Sequence, residues 1–306
     1  MAKIYYLLLL MPMLLFGQKA VVTDIRQIAE NEEIHYSFPK FGPEGKSIYF
    51  SGANYRGLWA YDLETDKIEK IIDARGAGYE PAIYANAVIY RSDEYIDGRR
   101  YSALKSYDLN SGRESTLMEK TRHLYNIGVL SGGAVIYRIN GDLSVIRMDQ
   151  GFRKVSSTIS EPYLINENAM LIVVKNGLAK KLSPLGEGNY VWGSLSPDQS
   201  KIVFTVAGRG TYITDLDGNV ITELGYANAP QWSPDGNWIV YMDDRDDGHR
   251  YISSDIYVST IDGQSRFKLT GSEHIAMHPV WSADGKHIAY HTDAGEIYLL
   301  GLKTSL

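Results

Sequence analysis

The chain contains no cysteine. Disulfides, thiolate metal sites, a cysteine nucleophile and a lipidated cysteine are therefore excluded. That absence does not assign a compartment, because exported bacterial proteins often do without disulfides. Basic residues are not in excess either: 31 Lys and Arg against 37 Asp and Glu leave a formal net charge of −6. A nucleic-acid partner is not predicted, since neutralising phosphates needs a basic surface. No apolar run reaches the roughly 20 residues that a membrane-spanning helix requires, so no transmembrane segment is predicted. The stretch Ile4 to Phe16 is apolar except at Tyr5, Tyr6 and Pro12, follows Lys3 and ends at Gly17-Gln18. A cationic start, a short apolar stretch and a small residue predict a secretory signal peptide over 1–17, cleaved near Gly17. The mature chain, 18–306, is then read as one domain located in the periplasm or secreted.

What the chain does have is tyrosine, 23 copies, a residue favoured both in strands and at binding surfaces. It also has repeats. Ala229 to Tyr241 reads Ala-Pro-Gln-Trp-Ser-Pro-Asp-Gly-Asn-Trp-Ile-Val-Tyr, and His278 to Tyr290 reads His-Pro-Val-Trp-Ser-Ala-Asp-Gly-Lys-His-Ile-Ala-Tyr. Each is a strand, an Asp-Gly turn suited to positive φ, and a second strand. A third alternating strand follows in both. Weaker copies begin at Phe38-Pro39, Glu80-Pro81, Gly132-Gly133, Glu161-Pro162 and Ser196-Pro197. Pro39 and Pro81 are 42 residues apart, Pro230 and Pro279 49. A period near 40 with four short strands per unit predicts an all-β fold, a β-propeller of four-stranded antiparallel blades. Seven hairpins predict seven blades. The fourth repeat is short, and if it is not a full blade the count falls to six. The last repeat lacks an outer strand, which Val21 to Ile28 is expected to supply, closing the ring and removing two sheet edges. A β-sandwich is the alternative, but it would show no repeated Trp-Ser-Pro-Asp-Gly element.

The Pro-x-Trp-Ser-Pro-Asp-Gly element at Pro230 to Gly236, with its copy at Pro279 to Gly285, resembles the repeat of TolB-type exported bacterial propellers. The match is closest over the last third of the chain. The resemblance implies an exported propeller that binds a partner in the cell envelope. TolB-type proteins carry a separate N-terminal α/β domain, for which residues 18–34 are too few, so the resemblance does not carry a Tol-system role. Similar repeats occur in propellers of prolyl-oligopeptidase-like peptidases, but no Gly-x-Ser-x-Gly elbow is present to support serine catalysis.

In a propeller, the loops leading into each innermost strand and those joining second to third strands open on one face. The first set nominates the residues before the strand-opening prolines: Glu80, Glu161 and His278, with Trp192 and Phe38 at equivalent positions. Glu80, Glu161 and His278 predict a polar ring at the channel mouth able to bind a metal or a sugar, and Trp192 and Phe38 are ligand candidates at the equivalent position. The second set contains two long hairpins, sharing Asp97-Gly98-Arg99-Arg100-Tyr101 and Asp247-Gly248-His249-Arg250-Tyr251. As ligand-holding arms they would offer Tyr95, Tyr101 and Tyr251 for aromatic contact, Arg100 and Arg250 for a carboxylate, and His249 beside them. The alternative is two solvated extensions whose turns serve local structure. Asp243, Asp244, Asp246 and Asp247 lack the spacing of a calcium loop and are read as a solvated acidic loop. Four of the seven histidines fall between His274 and His291; His287 and His291 are expected on a second strand, away from His278. No catalytic set and no cofactor are predicted, a metal ion at the histidines being the alternative. The sequence therefore predicts a non-enzymatic binding or scaffold module for a protein or glycan. The alternative is a carbohydrate-active lyase or hydrolase using Glu80, Glu161 and His278 as acid, base or metal ligand.

Overall fold

The computed structural model describes residues 18–130, 134–139, 142–147, 153–155 and 161–305. The leader predicted over 1–17 and the Gly132-Gly133 turn lie outside them. Seven antiparallel sheets follow one another along the chain. The first blade, from the channel outward, is Ser37–Phe41, Ser47–Ser51, Arg56–Asp62 and Ile68–Arg75. The second is Ala82–Tyr84, Ala87–Ile96, Arg99–Asp108 and Glu114–Thr121, and the third Leu124–Val129, Ala134–Ile139, Asp142–Arg147 and Arg153–Val155. The fourth has three strands among the described residues: Tyr163–Glu167, Met170–Lys175 and Leu178–Leu182. The fifth is Tyr190–Leu195, Lys201–Val206, Gly210–Asp215 and Val220–Gly225. The sixth is Asn228–Trp232, Trp238–Asp246, Tyr251–Thr260 and Arg266–Lys268.

The seventh blade closes the ring. Its Ala276–Trp281, His287–Thr292 and Ile297–Ser305 strands come from the C-terminus, and its outer strand is Lys19–Ala29 from the N-terminus. The two termini pair antiparallel, with Ile25 opposite Leu300 and Val22 opposite Leu302. Neither blade edge is then left at the join, where it would invite pairing with another chain.

Strand alternation explains how the ring holds together. Each second strand puts alternate residues on opposite faces, so it packs on the blade before and the blade after. Ile48 and Phe50 join Ile297 and Leu299 of the seventh blade, while Tyr49 between them joins Ile83 and Val88 of the second. Seven hydrophobic clusters result, one at each blade junction. Fully burying one such side chain contributes about 1.5–3 kcal/mol. The Ser-x-Asp turns that join first to second strands repeat one network. The Ser233, Ser282 and Ser196 hydroxyls each donate to the aspartate two residues on and accept a backbone N–H five residues on, at 2.9 Å in each case. This is why the motif recurs: one serine and one aspartate satisfy the turn's orphan groups.

Candidate functional site

The site begins with a backbone irregularity. In the innermost strands of blades one, five, six and seven, pairing slips by one residue, between Ser37 and Lys40, Val191 and Ser194, Asn228 and Gln231, and Met277 and Val280. The third blade slips likewise between Tyr125 and Gly128. The residue after the first member of each slip in those four blades is left-handed: Phe38 at φ 54°, Trp192 at 52°, Ala229 at 47° and His278 at 48°. Glu80, just before the second blade's innermost strand, matches them at 46°. A non-glycine residue here costs about 1–3 kcal/mol, and Phe38, Glu80, Ala229 and His278 each precede a proline, which disfavours α conformations further. A bulge re-aims one side chain; here it is repeated around the ring and turns Phe38, Trp192 and His278 toward one another.

Their rings meet. Phe38 lies 4.9 Å from His278 and 5.1 Å from His291, and Trp192 lies 6.4 Å from His278. Outward, Phe38 stacks on Tyr55 at 5.2 Å, and Tyr55 meets Tyr79 edge-on at 4.9 Å. His278 stacks flat on His291 at 5.4 Å, the planes 3° apart. The sequence placed His291 away from His278; the structure corrects this. Met277 is the register partner of His291, and the bulge that follows swings His278 back over it. Burial pushes the His278 imidazole down to about 4. His291 is pushed well below its ordinary value by burial, with His278 and His35 adding repulsion. Its Nδ1 accepts the Phe38 backbone N–H at 3.3 Å, so both rings are neutral at pH 7. Lys40 Nζ donates to the Pro81 carbonyl at 2.9 Å; desolvation lowers its pKa and Glu80 opposes that. Glu80 and Trp192 share a cavity of about 360 Å³ with Tyr79, Asn166 and Glu167.

A second cavity, about 510 Å³, opens beside the mouth between the first two blades. Arg56, Arg75, Arg91 and Arg100 line it. Strand alternation puts Arg91, Asp93 and Tyr95 on one face of the second blade's second strand, and Arg100 is the cross-strand partner of Tyr95. Arg91 lies over the Tyr79 ring at 4.7 Å, and Arg75 over Tyr95 at 5.1 Å. Arg91 is 5% exposed and its Nε has no hydrogen-bond partner. Burial lowers its pKa, with Asp93 opposing and Arg100 adding repulsion. Asp93 is the one carboxylate in the lining; it accepts from Ser102 Oγ at 2.5 Å. Gly76 lets this wall close, for a Cβ there would sit 2.8 Å from the Asp93 carboxyl carbon, at φ +83°.

The predicted residues therefore divide. His278 and Trp192 meet at the mouth, Glu80 joins Trp192, and Tyr95 and Arg100 enter the arginine cavity. Tyr101 faces the other way, opposite Glu94 in the hairpin register. Glu161 accepts from Gln199 Nε2 at 3.4 Å. Gln199 lies in the turn at the far end of the strand that carries Trp192, so Glu161 does not share the mouth. The reason is the fourth blade. Its Glu167–Met170 hairpin stands at the mouth, where the Ala169 carbonyl accepts from the Tyr190 N–H at 2.9 Å, so its first described strand runs opposite to the innermost strands of its neighbours. In the sixth-blade arm, His249 and Arg250 are exposed and Arg250 pairs with Asp247 at 3.8 Å. Tyr251 packs on the core between blades six and seven. The acidic loop is not wholly solvated: Asp244 is 3% exposed, accepts from Tyr226 Oη at 3.1 Å and Asn228 Nδ2 at 2.9 Å, and burial raises its pKa. The sequence reading missed Tyr55, Tyr79 and the three arginines other than Arg100. The detectable signal was Arg91, a charge ending the apolar run Val88-Ile-Tyr90 in strand alternation with Asp93 and Tyr95. Among the described residues, no group of three or more His, Asp or Glu is placed to hold a metal ion. No helix there is long and apolar enough to cross a membrane.

This architecture defines the chain as a seven-bladed β-propeller, related over part of its length to TolB and TolB-like proteins. No family model matches it. It is 34% identical over 79 residues to TolB of the Tol-Pal system of Alcanivorax borkumensis, 24% of this chain and 17% of that one. It is 24% identical over 193 residues to an uncharacterized protein of Agrobacterium fabrum, 56% of this chain and 63% of that one. Both matches span less than two thirds of the relatives' length. Among solved structures it is similar to TolB from Acinetobacter baumannii, with a TM-score of 0.54 at 18% identity over 83% of this chain and 59% of that one. A TolB-type protein of Agrobacterium tumefaciens gives 0.53 at 17% identity, 95% and 99% covered. An oligogalacturonate lyase of Vibrio parahaemolyticus gives 0.50 at 12% identity, 93% and 96% covered. These structural likenesses establish the fold.

Proposed function

We propose that the chain is an exported propeller that holds a glycan across the mouth of its channel. One observation carries this reading: the bulges turn Phe38, Trp192 and His278 into one aromatic cluster, continued by Tyr55 and Tyr79 and flanked by Glu80. Rings that present apolar faces with polar groups between them suit a sugar, whose own faces alternate C–H and hydroxyl. Export is supported by the leader pattern at 1–17 and by the similarity to TolB-type proteins. Trp192 is 36% exposed, so its removal should leave the core intact. Trp192→Ala and Phe38→Ala are expected to weaken oligosaccharide binding about tenfold each, a loss of about 1.4 kcal/mol, with Tm nearly unchanged. Titration followed by calorimetry tests this. If no glycan binds, the reading moves to a protein partner on the same face.

A second reading, a carbohydrate-active lyase or hydrolase, is favoured by one specific feature. An imidazole, His278, and a carboxylate, Glu80, stand at the same mouth, the pairing of groups that acid–base cleavage needs, with burial making His278 a weak base. Glu161 drops out of that set by its position. The test is new reducing ends or unsaturated products from a bound polysaccharide. His278→Ala and Glu80→Ala would abolish turnover while binding persists; no product from any bound glycan would end the reading.

A further inference from the structure

The cavity between the first and second blades carries more positive charge than the protein around it explains. Four arginines line it against one lining carboxylate, Asp93, with Glu80 acting on Arg91 and Asp73 on Arg56 from just outside, in a chain of net charge −6. It is not part of a general basic surface. Arg91 carries the strongest argument. Its guanidinium is almost fully buried and its Nε is without a partner. A buried charged donor left unbonded is costly, and the Tyr79 face below it offsets only part of the cost. Arg75 is stacked in the same way on Tyr95. Stacking fixes the plane of a guanidinium and occupies its face rather than its N–H edges, and a guanidinium held so can receive an oxyanion in bidentate fashion. The volume, about 510 Å³, is in the range of sites that enclose a small ligand. Tyr79 lines both this cavity and the one holding Glu80 and Trp192, so the two sites are neighbours at the mouth.

We propose that this cavity is an oxyanion site that takes the acidic group of a sugar, so that the glycan held at the mouth is an acidic one. The guanidinium edges of Arg91 and Arg100 bond the anion, and the rings of Tyr79 and Tyr95 flank the sugar that carries it. Arg56 is partly occupied by Asp73 at 3.7 Å and serves as the outer guide. The assignment of a sugar rests on the glycan reading above; the anion site stands on the arginines.

The experiment is a calorimetric titration of the mature protein with an oligouronate, its neutral counterpart, a hexose 6-phosphate and inorganic phosphate. The oligouronate is expected to bind and the neutral oligosaccharide to bind at least about tenfold more weakly, because it lacks the charge-assisted hydrogen bonds of the acidic group. Arg100→Gln, at an exposed position, should remove most of that preference with the fold intact. Arg91→Lys keeps the charge but loses the fork, and should do the same; near-ultraviolet circular dichroism checks its folding. Tighter binding of the phosphate ester than of the uronate would support the site and assign the anion as a phosphate. Inorganic phosphate bound through Arg91 and Arg100, with no oligosaccharide bound, would leave the anion site standing and end the glycan reading. Neutral and acidic oligosaccharides bound equally, sensitive to Trp192→Ala but not to the arginine variants, would overturn the anion site and leave the glycan reading. No anion bound at about 10 mM would overturn it outright.

Discussion

His278 and His291 illustrate how burial sets chemistry at a single residue. Stacked flat and enclosed, neither ring takes up a proton at neutral pH. In the unfolded chain both titrate near 6.5, whereas folded His278 does so near 4. Between those values the unfolded state binds more protons, so stability falls as pH falls from about 6.5 to about 4. For His278 alone the loss is on the order of 3 kcal/mol. Urea midpoints at pH 7 and pH 4.5, for the native chain and His278→Gln, should show the variant losing distinctly less; parallel losses would contradict the assignment. The same residues show what was legible in advance. His278, Trp192, Phe38 and Glu80 were found by their place before the strand-opening Pro or Gly. The His278–His291 stack was not, because only the bulge reverses the expected side of the strand.

At the scale of the element, the fourth blade is the exception that shapes the mouth. Its described strands number three, and where blades one, two, six and seven have proline after the re-aimed residue, the fifth has Gly193. A Cβ there would lie 2.6 Å from Leu171 and 2.7 Å from Asn166. The Asn166 amide takes the place of a ladder partner: Nδ2 donates to the Gly193 carbonyl at 2.7 Å and Oδ1 accepts from its N–H at 3.1 Å. This pair holds the Trp192 bulge. Asn166→Ala is expected to cost about 1–3 kcal/mol by stranding two backbone groups and to alter Trp192 fluorescence, with Asn166→Asp intermediate. Urea denaturation with intrinsic fluorescence measures both, and an unchanged spectrum would show that Trp192 is held by other contacts. The short repeat was legible from its length, but the direction of its strands was not. Glu161 was misplaced at the mouth because Glu161-Pro162 looks like Glu80-Pro81 and His278-Pro279, and residue identity alone does not report which end of a blade it occupies.

At the scale of the molecule, seven inter-blade clusters form a closed cycle, and the weakest logical link is the junction of the two termini. Lys19–Ala29 covers the Ile297–Ser305 edge, with Ile28 and Ala29 in the core against the first blade. Removing residues 18–30, compared with a chain that begins at Gln18, should lower Tm by about 10 °C or more. Losing a strand that anchors two clusters costs several kcal/mol, and the exposed edge should cause concentration-dependent association. Thermal unfolding and light scattering test this; an unchanged Tm would mean that the ring does not depend on the closure.

The sequence alone determined the class of fold and the closing strand, and favoured seven blades with six left open. Alternating apolar positions, tight turns and a period near 40 are local signals, which every blade but the short fourth carries in its own segment. It also located the loops that form one face, and with them Tyr95 and Arg100. Only the tertiary structure decided which of those residues meet. Arg56, Arg75, Arg91 and Arg100 come from two blades and are up to 44 positions apart in the chain. Their convergence depends on the angle between neighbouring sheets and on bulges that turn one side chain at a time. Nothing in residue order specifies either, because both follow from how seven twisted sheets share one core.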